Sequence, residues 1–161
     1  MQVVMVDLKN DYEKLRKKYS LPKYDELDEN FELLYFQPVI EIKFLLRFIR
    51  RRIFDKINSY IVFLQNILHP NPNSIISLEE SRFFSDNEKQ EIANLMKSMM
   101  QLERKSSLID LSGSEKEDAE FIKKAFNSWV DYKKSLYGVS KKMLEGWYSE
   151  VKEDSKSTFF G

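Results

Sequence analysis

The chain has 161 residues, no cysteine, and 26 basic side chains matched by 26 acidic ones. A chain of this length buries roughly 70% of its unfolded surface, so we expect a single domain over residues 1–161. The lack of cysteine excludes disulfides and thiolate chemistry and fits the cytoplasm, where we place the protein, and the zero net charge excludes a global attraction to nucleic acid or membranes.

Two short helices are predicted near the N-terminus, after residues 1–6, which we expect to fray. The first covers Asp7–Tyr19 and ends before Pro22, because apolar residues recur there at helical spacing. The second covers residues 24–32, where Leu27 and Phe31 lie one turn apart. This second helix carries five carboxylates, Asp25, Glu26, Asp28, Glu29 and Glu32.

The third helix is predicted to be the long central element. Pro38 suits its first turn and Pro70 cannot continue it, so it should cover Pro38–His69, about 32 residues or ~48 Å. Isoleucines and leucines share one side, while Phe44, Phe48 and Val62 lie on another. Two apolar surfaces indicate a helix with neighbours on both sides.

Two capping motifs predict the next helices. Ser77 with Glu80 has the form of a capping box and predicts a short helical turn, and Ser85 with Glu88 predicts the start of a longer helix. The core face of the longer helix has apolar residues at spacings of three and four, with one gap at Ser106.

The last helix has the strongest periodicity in the sequence. It follows the turn at residues 112–114 and should reach Val151, with residues 154–161 frayed. Because the turn is short, the last two helices should form an antiparallel hairpin. The final helix is the longer of the two, so we expect the N-terminal segments or a second subunit to cover Trp147. Its seam repeats every seven residues, at Ile122, Trp129, Leu136 and Met143.

The fold class predicted from these elements is all-α, an irregular antiparallel helical bundle with one long central helix and a C-terminal helical hairpin. No apolar stretch approaches the ~20 residues of a membrane span, because basic residues interrupt the most apolar segment.

A basic stripe on the third helix is the best local signal for a binding site. It consists of Lys43, Arg47, Arg50, Arg51 and Arg52. Arginine binds phosphate and carboxylate by the same bidentate geometry, so three readings remain open. We favour an intramolecular clamp with the carboxylates of residues 25–32, ahead of an acidic protein partner and ahead of nucleic acid.

The sequence offers little for catalysis. His69 is the one histidine, and beside Pro70 at a helix C-terminus it is better explained as a cap than as a catalytic base. The carboxylates of residues 25–32 lack the loop pattern of a Ca²⁺ site, so a metal-dependent hydrolase ranks third among the functions. We predict no enzyme activity, no catalytic or metal-ligating residues and no cofactor.

A family resemblance rests on three segments: Leu21-Pro22 with the acidic residues that follow, the apolar and basic core from Phe44 to Ile53, and Ser81-Arg82-Phe83-Phe84. Together they resemble small helical archaeal proteins of uncharacterised function, over residues 15–130. The resemblance implies a cytoplasmic archaeal protein and transfers no catalytic residue.

The sequence therefore favours a non-enzymatic helical protein–protein interaction module or a subunit of a larger complex, with a protein partner or a homo-oligomer. The alternative is nucleic-acid binding through the basic stripe. We expect no membrane partner.

Overall fold

The computed structural model describes residues 7–33 and 41–157, and for Ile42 and residues 150–157 it describes the backbone alone. In these ranges the chain forms six α-helices and no strand, and 87% of the residues are helical. The predicted all-α class, the long helix in the middle of the chain and the C-terminal helices are confirmed. The predictions for residues 1–6, 158–161 and Pro38 lie outside the described residues. The last helix continues to Ser157, beyond its predicted end at Val151, so residues 154–157 are helical and the prediction that they fray is wrong. The helices are α1 (Leu8–Tyr19), α2 (Tyr24–Phe31), α3 (Leu45–Leu68), α4 (Ile75–Arg82), α5 (Asp86–Ser112) and α6 (Glu115–Ser157).

The chain divides into two compact units, and the boundaries between them fall within α3, α5 and α6. The first comprises residues up to Ser59 together with Met99–Trp129, and the second comprises Tyr60–Ser98 together with residues from Val130 onward. The single domain expected over 1–161 stays a prediction.

In the first unit, α1 and α2 pack against each other through buried tyrosines. The hydroxyl of Tyr12 donates a 2.6 Å hydrogen bond to the carbonyl of Pro22, and the Tyr12 and Tyr24 rings meet edge to face at 5.5 Å. Phe31 at the end of α2 contacts Trp129 of α6, with ring centroids 5.4 Å apart. Aromatic contacts of this kind fix the two short helices to the longer ones.

Helix α3 begins later than its sequence pattern suggests. A 3₁₀ turn at Ile42–Phe44 leads into it, and it has 24 residues. Phe44 and Val62 are 40% and 49% exposed, so the second apolar surface expected on this helix is not buried at these two positions. One side is buried along the helix, at Leu45, Leu46, Ile49, Ile53, Ile57, Ile61, Leu64 and Ile67.

Local hydrogen bonds set the starts of α4 and α5. The predicted box at Ser85 and Glu88 is confirmed, since each side chain accepts from the backbone N–H of the other residue. The box predicted at Ser77 is wrong. Ser74 is the N-cap of α4 and accepts from the N–H of Ser77 at 3.2 Å. The helix therefore begins three residues before its predicted start, and it ends at Arg82.

Helices α5 and α6 form the predicted antiparallel hairpin. Gly113 has a φ of +71° in the turn, where its N–H bonds to the carbonyl of Ile109. That left-handed conformation strains any residue with a Cβ. In the second unit Ser98 and Tyr132 share a 2.7 Å hydrogen bond and Glu88 pairs with Lys142, as expected for helices that run back along each other.

Trp147, near the end of α6, is covered within the second unit. Its indole N–H donates to Glu80 at 3.2 Å, and its ring meets Phe83 edge to face at 5.3 Å. These contacts come from the region around α4, which the sequence did not suggest, and Gly146 allows the approach, because a Cβ there would overlap the Phe83 ring. Trp147 is half-buried, and further cover by a second subunit stays a prediction.

Candidate functional site

The basic stripe predicted on α3 does not form one exposed surface. Arg50 is fully buried, although the spacing of its neighbours placed it on the same face. The side chain of Arg51 is 58% exposed and that of Arg52 is 20% exposed. Only part of the stripe therefore faces solvent.

Arg50 is held by a buried polar cluster in the first unit. Its Nε donates to Asp118 Oδ1 at 2.6 Å. One terminal nitrogen donates both to the carbonyl of Ser106, at 3.0 Å, and to the Ser106 hydroxyl. The other terminal nitrogen donates to Asp110. Ser106 and Asp118 are buried as well. A buried guanidinium requires hydrogen-bond acceptors for all its nitrogens, because an unpaired charge in a core is strongly destabilising.

The two aspartates of this cluster respond to it in opposite ways. Burial raises the pKa of Asp118, and the nearby Arg50 and Arg47 offset this only in part. Burial also acts to raise the pKa of Asp110, but hydrogen bonds and charge from Arg50 and Arg51 outweigh it, so that pKa lies below its usual range. The arginine is thus balanced by one shielded and one partly exposed carboxyl group.

The other stripe residues have partners close to them in sequence or in the hairpin. Lys43 pairs with Glu41 at 2.7 Å, and Arg52 pairs with Asp55 at 3.4 Å. Arg51 shares Asp110 with Arg50. The guanidinium of Arg47 lies 5.4 Å from the centre of the Phe44 ring, within the range of a cation–π contact.

The acidic counterpart of Arg50 and Arg51 differs from the one the sequence suggested. An internal acid–base cluster exists, but its carboxylates are Asp110 and Asp118 of the hairpin. In the 25–32 segment, Asp25 pairs with Lys9 at 2.8 Å and Glu26 accepts from the backbone N–H of Lys23. Of the remaining members, Asp28 is half-buried, and Glu29 and Glu32 are exposed.

Sequence reasoning missed Ser106, Asp110 and Asp118 as partners of the arginines. One signal was present, the gap in the apolar seam of α5 at Ser106. A polar residue at a seam position implies a polar neighbour from another helix. Nothing in the sequence identifies Arg50 as that neighbour.

An exposed apolar stripe on α6 is the feature that points to a binding surface. It lies in the second unit and follows the seven-residue spacing of a helix seam, with one further residue a turn beyond. At about 100° per residue, its members fall within about 20° of a line along the helix, well away from the buried seam. The stripe consists of Val130, Tyr137, Leu144 and Tyr148, which are 65%, 71%, 53% and 63% exposed.

A groove of about 290 Å³ lies between α5 and α6 in the second unit. Its apolar floor includes Ile92 and Val139, and the Glu88–Lys142 ion pair stands at its rim. Gly138 contributes free space, since a Cβ there would meet nothing within 4 Å. The cation at the rim, Lys142, is already paired with Glu88, and the other charged residue that lines the groove is Glu91.

The described residues hold no group of three or more histidine, aspartate or glutamate side chains placed to bind a metal ion. His69 is exposed, and its backbone N–H bonds to the carbonyl of Gln65 at 2.8 Å. The capping role predicted for its imidazole stays a prediction. None of the helices in residues 7–33 and 41–157 is long and apolar enough to cross a bilayer.

The sequence matches no family model, and neither a curated protein nor a solved structure is significantly similar to it. The resemblance to archaeal helical proteins therefore stays a prediction. Any functional conclusion must come from the chain's own surface.

Proposed function

We propose that this chain is a helical protein–protein interaction module that binds a partner helix through the apolar stripe of α6, as a subunit of a larger complex. The single observation that carries the proposal is the seven-residue spacing of exposed apolar side chains at Val130, Tyr137 and Leu144. In coiled coils, side chains at this spacing form one of the two apolar positions per heptad that insert into a neighbouring helix. Scattered exposed apolar residues are ordinary, but a continuous line of them marks an interaction site.

The composition of the stripe supports the same proposal. Two of its four members are tyrosines, a residue type enriched at protein interfaces because it combines a large apolar ring with a polar tip. The stripe spans residues 130–148, which is ~27 Å of helix at 1.5 Å per residue. That length accommodates about five turns of a partner helix.

Nucleic-acid binding through the basic stripe is the alternative that the sequence left open. The internal partners of Lys43, Arg50, Arg51 and Arg52 weigh against it, because phosphate would have to displace carboxylates already in place. We expect no binding of RNA or DNA even at about 50 mM salt, where phosphate contacts are strongest. Binding that weakens steeply with salt would favour the alternative.

Site-specific photo-crosslinking in the cells that produce the protein tests the proposal. A photoreactive amino acid replaces Tyr137 in one variant and Asp131 in a control, which is exposed in the same unit but about 120° around the helix. We expect a defined crosslinked protein from position 137 alone, and its loss when Leu144→Glu is added. Equal crosslinking from both positions, or none from 137, would contradict the proposal.

A further inference from the structure

The apolar stripe of α6 is flanked by lysines on both sides. On a helical wheel, Lys134 and Lys141 lie about 60° and 40° to one side of Tyr137, and Lys133 lies about 40° to the other. All three are exposed and belong to the second unit. The exposed carboxylates of the same stretch, Asp131 and Glu145, lie farther round, at about 120° and 80°. The charged side chains nearest to the apolar stripe on α6 are therefore the positively charged lysines.

This border disfavours a second copy of the chain as the partner. In an antiparallel pair centred on Tyr137, Val130 meets Leu144, and the flank that carries Lys134 and Lys141 faces the same flank of the copy, so Lys134 lies beside Lys141. A parallel pair places the flank that carries Lys134 and Lys141 against the flank of the copy that carries Lys133. Like charges beside a helix seam select against a pairing, and opposite charges select for it.

The width of the stripe disfavours a membrane surface. An amphipathic helix that lies in a bilayer interface buries a broad apolar face rich in Trp, Phe and Leu. Here the apolar residues occupy a band about 40° wide, and lysines border it directly. A narrow seam of this kind fits between the side chains of one helix.

We infer that the partner is an amphipathic helix whose apolar residues, at heptad spacing, are flanked by glutamates or aspartates. The inference rests on the proposed function and adds the chemistry of the partner. Carboxylates on the partner would lie against Lys134 and Lys141 while its apolar residues cover Tyr137 and its neighbours. The charges then set partner choice and association rate, and the apolar contacts provide the affinity.

Two synthetic four-heptad peptides with the same apolar seam, one flanked by glutamates and one by lysines, test the inference on the full chain. Each peptide repels copies of itself, so neither forms a stable homodimer. We expect the acidic peptide to bind, and to bind at least about tenfold more weakly to the double variant Lys134→Glu, Lys141→Glu. Raising salt from about 0.05 M to about 0.5 M should also weaken binding. The matched control, Lys116→Glu with Lys124→Glu, reverses two exposed lysines of the same helix in the first unit and should leave the affinity unchanged.

Other outcomes overturn the inference and are distinguishable from failure of the proposed function. Equal binding of both peptides would show a helix partner without charge selection. Self-association of the chain that Leu144→Glu abolishes would identify a second copy. Binding to phosphatidylserine vesicles but to neither peptide would identify a membrane. In each case, crosslinking at position 137 decides separately whether a protein occupies the stripe at all.

Discussion

Arg50 Nε donates a 2.6 Å hydrogen bond to Asp118 Oδ1, and both side chains are shielded from solvent. The bond joins α3 to the first turns of α6, across 68 positions of the chain. Removing one partner leaves an uncompensated buried charge. We expect Arg50→Met to lower the free energy of unfolding by about 3–5 kcal/mol, measured by urea denaturation.

A double-mutant cycle separates the pair from its surroundings. The double variant Arg50→Met, Asp118→Leu should lose less stability than the sum of the two single variants, because it removes both charges at once. Arg51→Met is the matched control, since Arg51 shares Asp110 but is largely exposed, and should cost at most about 1 kcal/mol. Additive effects in the cycle, or equal losses at residues 50 and 51, would contradict the buried cluster.

Two glycines of α6 should respond to the same substitution with opposite signs. A Cβ at Gly146 would overlap the Phe83 ring, so Gly146→Ala should destabilise by about 1–3 kcal/mol. A Cβ at Gly138 meets nothing within 4 Å, so Gly138→Ala should stabilise by about 0.5–1 kcal/mol through helix propensity. Thermal and urea unfolding of both variants measure this. A stabilising Gly146→Ala would show that Phe83 does not pack against α6 in solution.

The predictions that depended on neighbouring residues were confirmed most fully. The seam of α6 is buried at Ile122, Trp129 and Leu136, three of its four predicted positions. Like the capping box at Ser85 and Glu88 and the turn at residues 112–114, it depends on residues within a few turns of each other. Propensity, capping and periodicity decide such features, so the sequence alone specifies them. The wrong prediction for the start of α4 is also a local one, a shift of three residues, because Ser74 and Ser77 both suit an N-cap.

The acidic partners of the basic residues could not be predicted from the sequence, because they depend on the packing of distant helices. With 26 carboxylates in the chain, charge alone cannot choose the acidic partner of Arg50. The choice of Asp118 over the 25–32 segment depends on how three helices pack, and no local pattern records that packing. Likewise, the cover of Trp147 by Phe83 depends on Gly146, whose role becomes visible only when α4 is in place.

Acid should weaken the protein partly through Glu115. The Tyr19 hydroxyl donates to this carboxylate at 2.6 Å and Lys18 lies 3.2 Å away, so its pKa falls below the usual 4.5 despite partial burial. A carboxyl with a lowered folded pKa adds stability above its unfolded pKa, and this stability is lost as pH falls through the folded value.

Glu115→Gln isolates this contribution. The amide cannot titrate, so stability should depend less on pH in the variant than in the wild type between neutral pH and about pH 3. Urea denaturation of both proteins across this range measures the difference, since the other carboxylates titrate alike in each. Parallel stability curves would mean that Glu115 is not paired with Tyr19 and Lys18 in the folded state.

Substitutions at two adjacent residues of α6 should distinguish the buried face of the helix from its proposed binding face by their effect on stability. Leu136 is 4% exposed and Tyr137 is 71% exposed. Leu136→Ala removes buried contacts and should cost about 2–5 kcal/mol of unfolding free energy. Tyr137→Ala changes a side chain surrounded by solvent, so it should alter stability by no more than about 0.5 kcal/mol. If Tyr137→Ala destabilised the isolated chain as much as Leu136→Ala, the stripe would already be covered within the protein. It would then be unavailable to any partner, and the proposed function would lose its surface.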